Sequence, residues 1–102
     1  MERAVIDAAV RTLAEAARPR RIVLFGSHAR GEAGPESDLD LLVIESEVTD
    51  RHAEMVRLRR ALRPLRIPVD VLVATEAEIS RYAEQPGHVL YWAIKDGQVM
   101  YG

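Results

Sequence analysis

Val5, Ile6, Ala9, Val10 and Leu13 recur at helical spacing through an otherwise charged N-terminal segment. Residues 2–17 are therefore predicted to form an amphipathic helix, ended by Pro19. The period then changes. Arg21–Phe25 is a short, continuous apolar run rich in β-branched residues, which reads as a buried strand. Gly26-Ser27 turns the chain into a short helix or loop, and Gly31, Gly34 and Pro35 mark a loop. Asp38–Glu45 is a second strand, nearly all apolar after its first residues. Asp50–Arg63 is helical, with Met55, Leu58 and Leu62 on one stripe and arginines around the rest. Pro64 and Pro68 bracket the return to a third apolar strand, Val69–Ala74. Thr75-Glu76-Ala77-Glu78 has capping-box spacing, so a further helix starts near Glu76. His88–Lys95 reads as another helix stopped by Gly97, and Gln98–Tyr101 as a short edge strand.

This order of elements predicts an α/β (α+β) fold: a small mixed sheet with helices packed against it, in a single domain over residues 1–102. An apolar fraction of 48% supports a globular chain with a small core. No apolar run is long enough to span a bilayer, so no membrane partner is expected. The chain has no cysteine, which removes disulfides and thiolate metal sites and fits a cytoplasmic location. A net charge of −2 gives no support for nonspecific nucleic-acid binding. Of the 14 basic residues only Lys95 is a lysine; compositional bias explains that better than function. The arginines of the third helix (Arg51, Arg57, Arg59, Arg60, Arg63) are expected to form a solvated face, with an acidic partner or RNA as the sharper alternatives.

The chemistry concentrates where the first two strands meet. Ten residues separate Gly26-Ser27 from Asp38-Leu39-Asp40. Strand side chains alternate, so Asp38 and Asp40 share one face while Leu39 and Leu41 point to the core. Two carboxylates so placed can hold one divalent cation or bridge two. Glycine permits close backbone approach to a phosphate. Ser27 adds a hydroxyl and, with the following amides, a helix N-terminus aimed at an anion. Arg30 either neutralises phosphate or pairs with a nearby carboxylate. Asp70 lies in the apolar run Ile67–Val73, where an unpaired ionised carboxylate is costly. It completes a three-carboxylate cluster if its strand lies beside the second one. Otherwise it caps a turn or pairs with an arginine. Ser37 is expected to tighten the loop before Asp38. The histidines show no metal-ligand spacing: His28 is close enough to reach a phosphate, and His52 and His88 read as ordinary helix residues. Tyr91, Trp92 and Tyr101 cluster near the C-terminus as core or as a docking surface.

The motif Gly26-Ser27, ten residues, Asp38-Leu39-Asp40, with Asp70 downstream, resembles the polymerase-β-type nucleotidyltransferase superfamily. Within it the chain looks most like the minimal nucleotidyltransferases (MNT proteins). The resemblance runs through the ending Ala93–Tyr101. It departs only at His28, where another basic residue is more usual.

The resemblance implies a polymerase-β-like fold and ATP as nucleotide substrate. It implies Mg²⁺, two ions, held by Asp38, Asp40 and Asp70. It also implies transfer of AMP to a hydroxyl, with Gly26, Ser27 and Arg30 holding the nucleotide. Minimal nucleotidyltransferases are typically paired with a helical HEPN protein as toxin and antitoxin, and in some pairs a HEPN tyrosine receives the AMP. The expected function is therefore antitoxin by adenylylation. Neutralisation by contact alone and small-molecule transfer of the aminoglycoside type are the alternatives. The related aminoglycoside enzymes carry an additional helical domain, so here any acceptor platform is expected from another chain. A homo-oligomer is left open.

Overall fold

The N-terminal stripe becomes α1 (Arg3–Ala17) in a computed structural model that describes residues 1–102. Ile6, Ala9, Val10 and Leu13 are its buried positions, the i, i+3, i+4, i+7 set that shares one helix face. The helix stops one residue before the proline is reached. Arg18 takes a left-handed conformation (φ 46°) and donates its N–H to the Ala14 carbonyl. Pro19 then supplies no donor with which to continue.

Four strands form one sheet in the order β3-β2-β1-β4: β1 (Arg21–Phe25), β2 (Leu39–Glu45), β3 (Val69–Thr75) and β4 (Gln98–Tyr101). β1 runs antiparallel to both its neighbours, and β2 and β3 are parallel. The parallel pair needs a crossover, which is α3 (Arg51–Leu62) followed by a 3₁₀ turn at Arg63–Leu65. β1 and β2 are central and covered on both faces, which is why they read as continuous apolar runs rather than as alternations.

The sheet divides the core in two. On one face Ile22, Leu24, Leu39, Leu41, Val43 and Val71 pack against α1 and against Leu58 and Leu62 of α3. On the other, Val23, Leu42, Ile44 and Ala74 pack against Ile79 of α4 (Glu76–Tyr82) and against Leu90 and Ala93 of α5 (Val89–Asp96). The short helix α2 (Gly26–Arg30) follows β1 directly.

Most predicted boundaries shift by one residue. Asp38 precedes β2 instead of opening it. Asp50 and His88 are N-caps rather than helix residues: Asp50 Oδ1 accepts from Ala53 N at 3.0 Å, and His88 Nδ1 from Leu90 N at 3.1 Å. A side chain that satisfies a free amide of the first turn stays outside the helix. The His88 ring also stacks on Tyr82, with centroids 4.0 Å apart. The capping box forms as predicted, with Thr75 and Glu78 exchanging bonds at the start of α4. No helix is long and apolar enough to cross a membrane.

Candidate active site

Asp40 joins the two halves of the glycine–aspartate motif. It lies opposite Phe25 of β1 on one side and opposite Asp70 of β3 on the other. Paired residues of neighbouring strands project on the same face. Asp40 and Asp70 therefore stand side by side at the edge of the face that carries α4 and α5. The alternation along β2 sends Leu39 and Leu41 to the opposite face, where both are fully buried. They anchor the strand so that the intervening Asp40 faces outward. Asp38 is exposed one step before the strand. The chain there is held extended by Leu39 N donating to the Pro68 carbonyl at 2.8 Å.

Gly26 is required here twice over. Its φ of +72° is a left-handed conformation in which a side chain is strained. A Cβ at this position would also come within 2.2 Å of Asp40 Oδ2. The glycine thus leaves the volume that the Asp40 carboxylate occupies. α2 begins at Gly26 with no side-chain cap at Phe25, so the leading amides of its first turn lack intrahelical partners. Ser27 is half-buried in that turn.

The connecting loop is pinned at several points. Gly31 closes α2 with φ 73° and donates to the His28 and Ser27 carbonyls. Ser37 Oγ accepts from Gly34 N at 2.8 Å, the loop-tightening role expected of it. His28 Nε2 lies 3.3 Å from the Ser37 carbonyl oxygen, tying α2 to the residue before Asp38. Arg30 is exposed and pairs with Glu32 at 2.9 Å, the second of its two expected roles.

The electrostatics centre on Asp40. Burial first, then the charges of Asp70 and Asp38, raise its carboxyl above the usual range; His28 and Arg30 offset part of the rise. A hard divalent cation beside Asp40 would offset the two anionic neighbours that disfavour its charged form. No three His, Asp or Glu side chains form a ready-made cage. Asp38, Asp40 and Asp70 line none of the molecule's three cavities. The donor set fits an ion that keeps water and substrate phosphates in its remaining positions, on an open surface.

The placement of Asp70 differs from expectation in one respect. Its strand is apolar, but β3 is an edge strand and the Asp70 side chain is 56% exposed. Exposure removes the burial penalty expected from its apolar neighbours. Arg59 Nη2 approaches Asp70 Oδ1 at 3.9 Å. That contact was invisible in the sequence, because it depends on α3 crossing back beside the β3 edge. Two other neighbours were equally hidden. Gln98 Nε2 donates to the Ala29 carbonyl at 3.1 Å, so β4 holds α2 in place. Asp96 contributes to the field at Arg30.

Similar folds are found among solved structures. A candidate nucleotidyltransferase from Sulfolobus solfataricus superposes with a TM-score of 0.65 at 23% identity, covering 94% of this chain and 76% of that one. A toxin–antitoxin assembly solved with AMP-PNP gives 0.67 at 23% identity, covering 94% and 73%. A Shewanella oneidensis complex of a tri-AMPylated HEPN toxin with its MNT antitoxin gives 0.66 at 16% identity, covering 100% and 73%. No curated protein matches the sequence significantly. The family model for the nucleotidyltransferase domain, however, matches residues 6–95, a span holding every motif residue named above. The chain belongs to the nucleotidyltransferase domain family.

Proposed function

We propose that this nucleotidyltransferase moves AMP from ATP to a tyrosine hydroxyl of a helical HEPN-type partner and thereby acts as its antitoxin. The observation that carries the reading is the meeting of Gly26, Asp40 and Asp70 at one point of the sheet. A phosphate-binding turn and a carboxylate cluster in contact are what a metal–triphosphate substrate requires. The fold likeness to a chain of a complex between an AMPylated HEPN toxin and its MNT antitoxin supports the choice of acceptor.

Asp38, Asp40 and Asp70 would hold the divalent cations, with Asp70 also facing the acceptor. Gly26, Ser27 and the first amides of α2 hold the triphosphate, and Arg30 neutralises it after release from Glu32. Mg²⁺ bound there, as two ions, would supply charge neutralisation of the triphosphate and acidification of the acceptor hydroxyl. The acceptor oxygen attacks the α-phosphorus in line. Its proton passes to Asp70. The bond from the α-phosphorus to the bridging oxygen breaks, and pyrophosphate leaves with the electron pair.

The test is to incubate the chain with the product of the adjacent reading frame, ATP and Mg²⁺, and to weigh that product by mass spectrometry. One or more adenylyl additions are expected, and none with Asp38→Ala and Asp40→Ala together. An unmodified partner, or modification that survives the double substitution, refutes the reading.

A second reading, neutralisation by contact alone, is favoured by one observation. Val89, Trp92, Val99 and Tyr101 at the C-terminal end are all large apolar residues left exposed. On this reading the doubly substituted chain still protects cells from the partner.

A further inference from the structure

Beside Asp70, around the edge of β3, lies a groove of about 430 Å³ lined by Arg59, Leu62, Arg63, Arg66, Ile67 and Val69. We propose that it docks an acidic segment of the acceptor protein and so delivers the acceptor hydroxyl to Asp70; this rests on the transferase reading given above.

Position is the first argument. Val69 immediately precedes Asp70, and the Arg59 guanidinium already lies 3.9 Å from the Asp70 carboxylate. Val69 faces the α3 side of the sheet and Asp70 the other, but β3 is an edge strand, so a chain seated in the groove reaches the carboxylate cluster by passing around that edge, where Arg59 already meets Asp70.

Charge is the second. Three guanidinium groups line the groove and no carboxylate does. Arg57, two residues before Arg59 on α3, is committed to Glu54 and to the Ala16 carbonyl. Arg59 finds only Asp70 at 3.9 Å. The whole chain carries a net charge of −2, so this positive field belongs to the groove and not to the molecule. Guanidinium groups bind carboxylates through paired N–H donors. The floor of Leu62, Ile67 and Val69 suits the aliphatic stems of glutamates or an interspersed apolar residue.

Backbone conformation is the third. Arg66 sits at φ 51°, left-handed, where the turn after a helix ordinarily takes glycine. The arginine there adds a guanidinium that the turn itself does not need.

The same features favour an acidic protein segment over RNA. No aromatic ring lines the groove to stack a base.

The experiment measures AMP transfer to the partner as a function of partner concentration, for the wild-type chain and for Arg63→Glu with Arg66→Glu. Both side chains are exposed, and the milder Arg63→Gln with Arg66→Gln guards against a folding defect. Mg–ATP binding without partner is titrated in parallel. The expected result is a KM for the partner raised about tenfold or more, with kcat at saturation and Mg–ATP affinity unchanged. An unchanged partner KM overturns the inference, as does an equal loss of Mg–ATP affinity. A polyuridylate oligonucleotide that displaces the partner more effectively than a polyglutamate peptide of equal charge makes the groove an RNA site and also overturns it. If the wild-type chain transfers no AMP, the transferase reading fails separately. Partner binding to the Asp38→Ala, Asp40→Ala chain, with and without the arginine reversals, then decides the docking claim.

Discussion

Asp40 and Asp70 stand opposite one another across the parallel strands β2 and β3, although they lie 30 positions apart in the chain. Their neighbours in register are apolar on both sides: Leu39 with Val69, and Leu41 with Val71. The pair is thus a polar break near one end of a ladder whose next four pairs, Leu41–Val71 to Ile44–Ala74, are apolar. Burial and the adjacent anions raise the Asp40 carboxyl. Without a cation, the ionised cluster works against folding.

Asp40→Asn should therefore stabilise the metal-free chain while removing transfer. The expected signature is a higher thermal midpoint without Mg²⁺ and a loss of kcat/KM of about a hundredfold or more. Calorimetry beside a single-turnover assay measures both. A variant less stable than wild type would show that the carboxylate is structurally satisfied.

Binding of Mg²⁺ with a non-transferring ATP analogue should reverse the repulsion. At about 100 times Kd, linkage gives about 2.7 kcal/mol of added stability. Chelation with EDTA should abolish the gain. The Asp38→Ala, Asp40→Ala chain should show none in a thermal-shift titration.

Gly26→Ala tests the contact between turn and carboxylate. The left-handed backbone alone costs about 1–2 kcal/mol, and the added Cβ meets Asp40 Oδ2. Destabilisation of at least that size in urea, with loss of Mg–ATP binding, is expected. Gly31→Ala shares the positive φ but has open space around its Cβ. It should cost stability alone and leave binding intact.

Leu39→Ala should disturb the site through the core. Leu39 is fully buried between the two aspartates of the motif. Its truncation is expected to cost about 2–5 kcal/mol and to weaken Mg²⁺ affinity as β2 loses its anchor. Denaturant unfolding and metal titration read the two effects.

Glu45, at the far end of β2, sets a pH dependence unrelated to the site. Burial, then the neighbouring Glu54 carboxylate, pushes its carboxyl up to about 7, while Arg57 keeps Glu54 below its ordinary value. Glu45 Oε2 is buried without a hydrogen-bond partner. The folded chain thus binds more protons here than the unfolded chain between the ordinary value of 4.5 and about 7. Stability is fully present below that window and lost as pH rises through it. Glu45→Gln, neutral throughout, should flatten this slope and be the more stable chain at about pH 8. Urea midpoints across pH test it; an unaltered slope would assign the titration elsewhere.

Much of this was legible in the chain because it depends on local periodicity and backbone chemistry. The stripe of α1, the buried runs of β1 and β2, the capping box at Thr75 and the Gly26–Asp40 motif are set by neighbours a few residues apart. The N-cap roles of Asp50 and His88 were missed because a capping side chain and a first-turn side chain look alike in a helical pattern. The exposure of Asp70 was missed because an apolar strand reads the same at an edge as in the centre of a sheet.

What the sequence determined by itself was one half of the proposed site: a glycine turn and two aspartates at a spacing that two strands and a loop can close. Only the tertiary structure decided the rest. The parallel β2–β3 register brings Asp70 to Asp40. The return of α3 along the β3 edge sets Arg59 beside Asp70 and opens the arginine groove at Arg63 and Arg66. These depend on crossover geometry and strand order, which follow from how two apolar layers pack on one sheet and not from the spacing of residues along the chain.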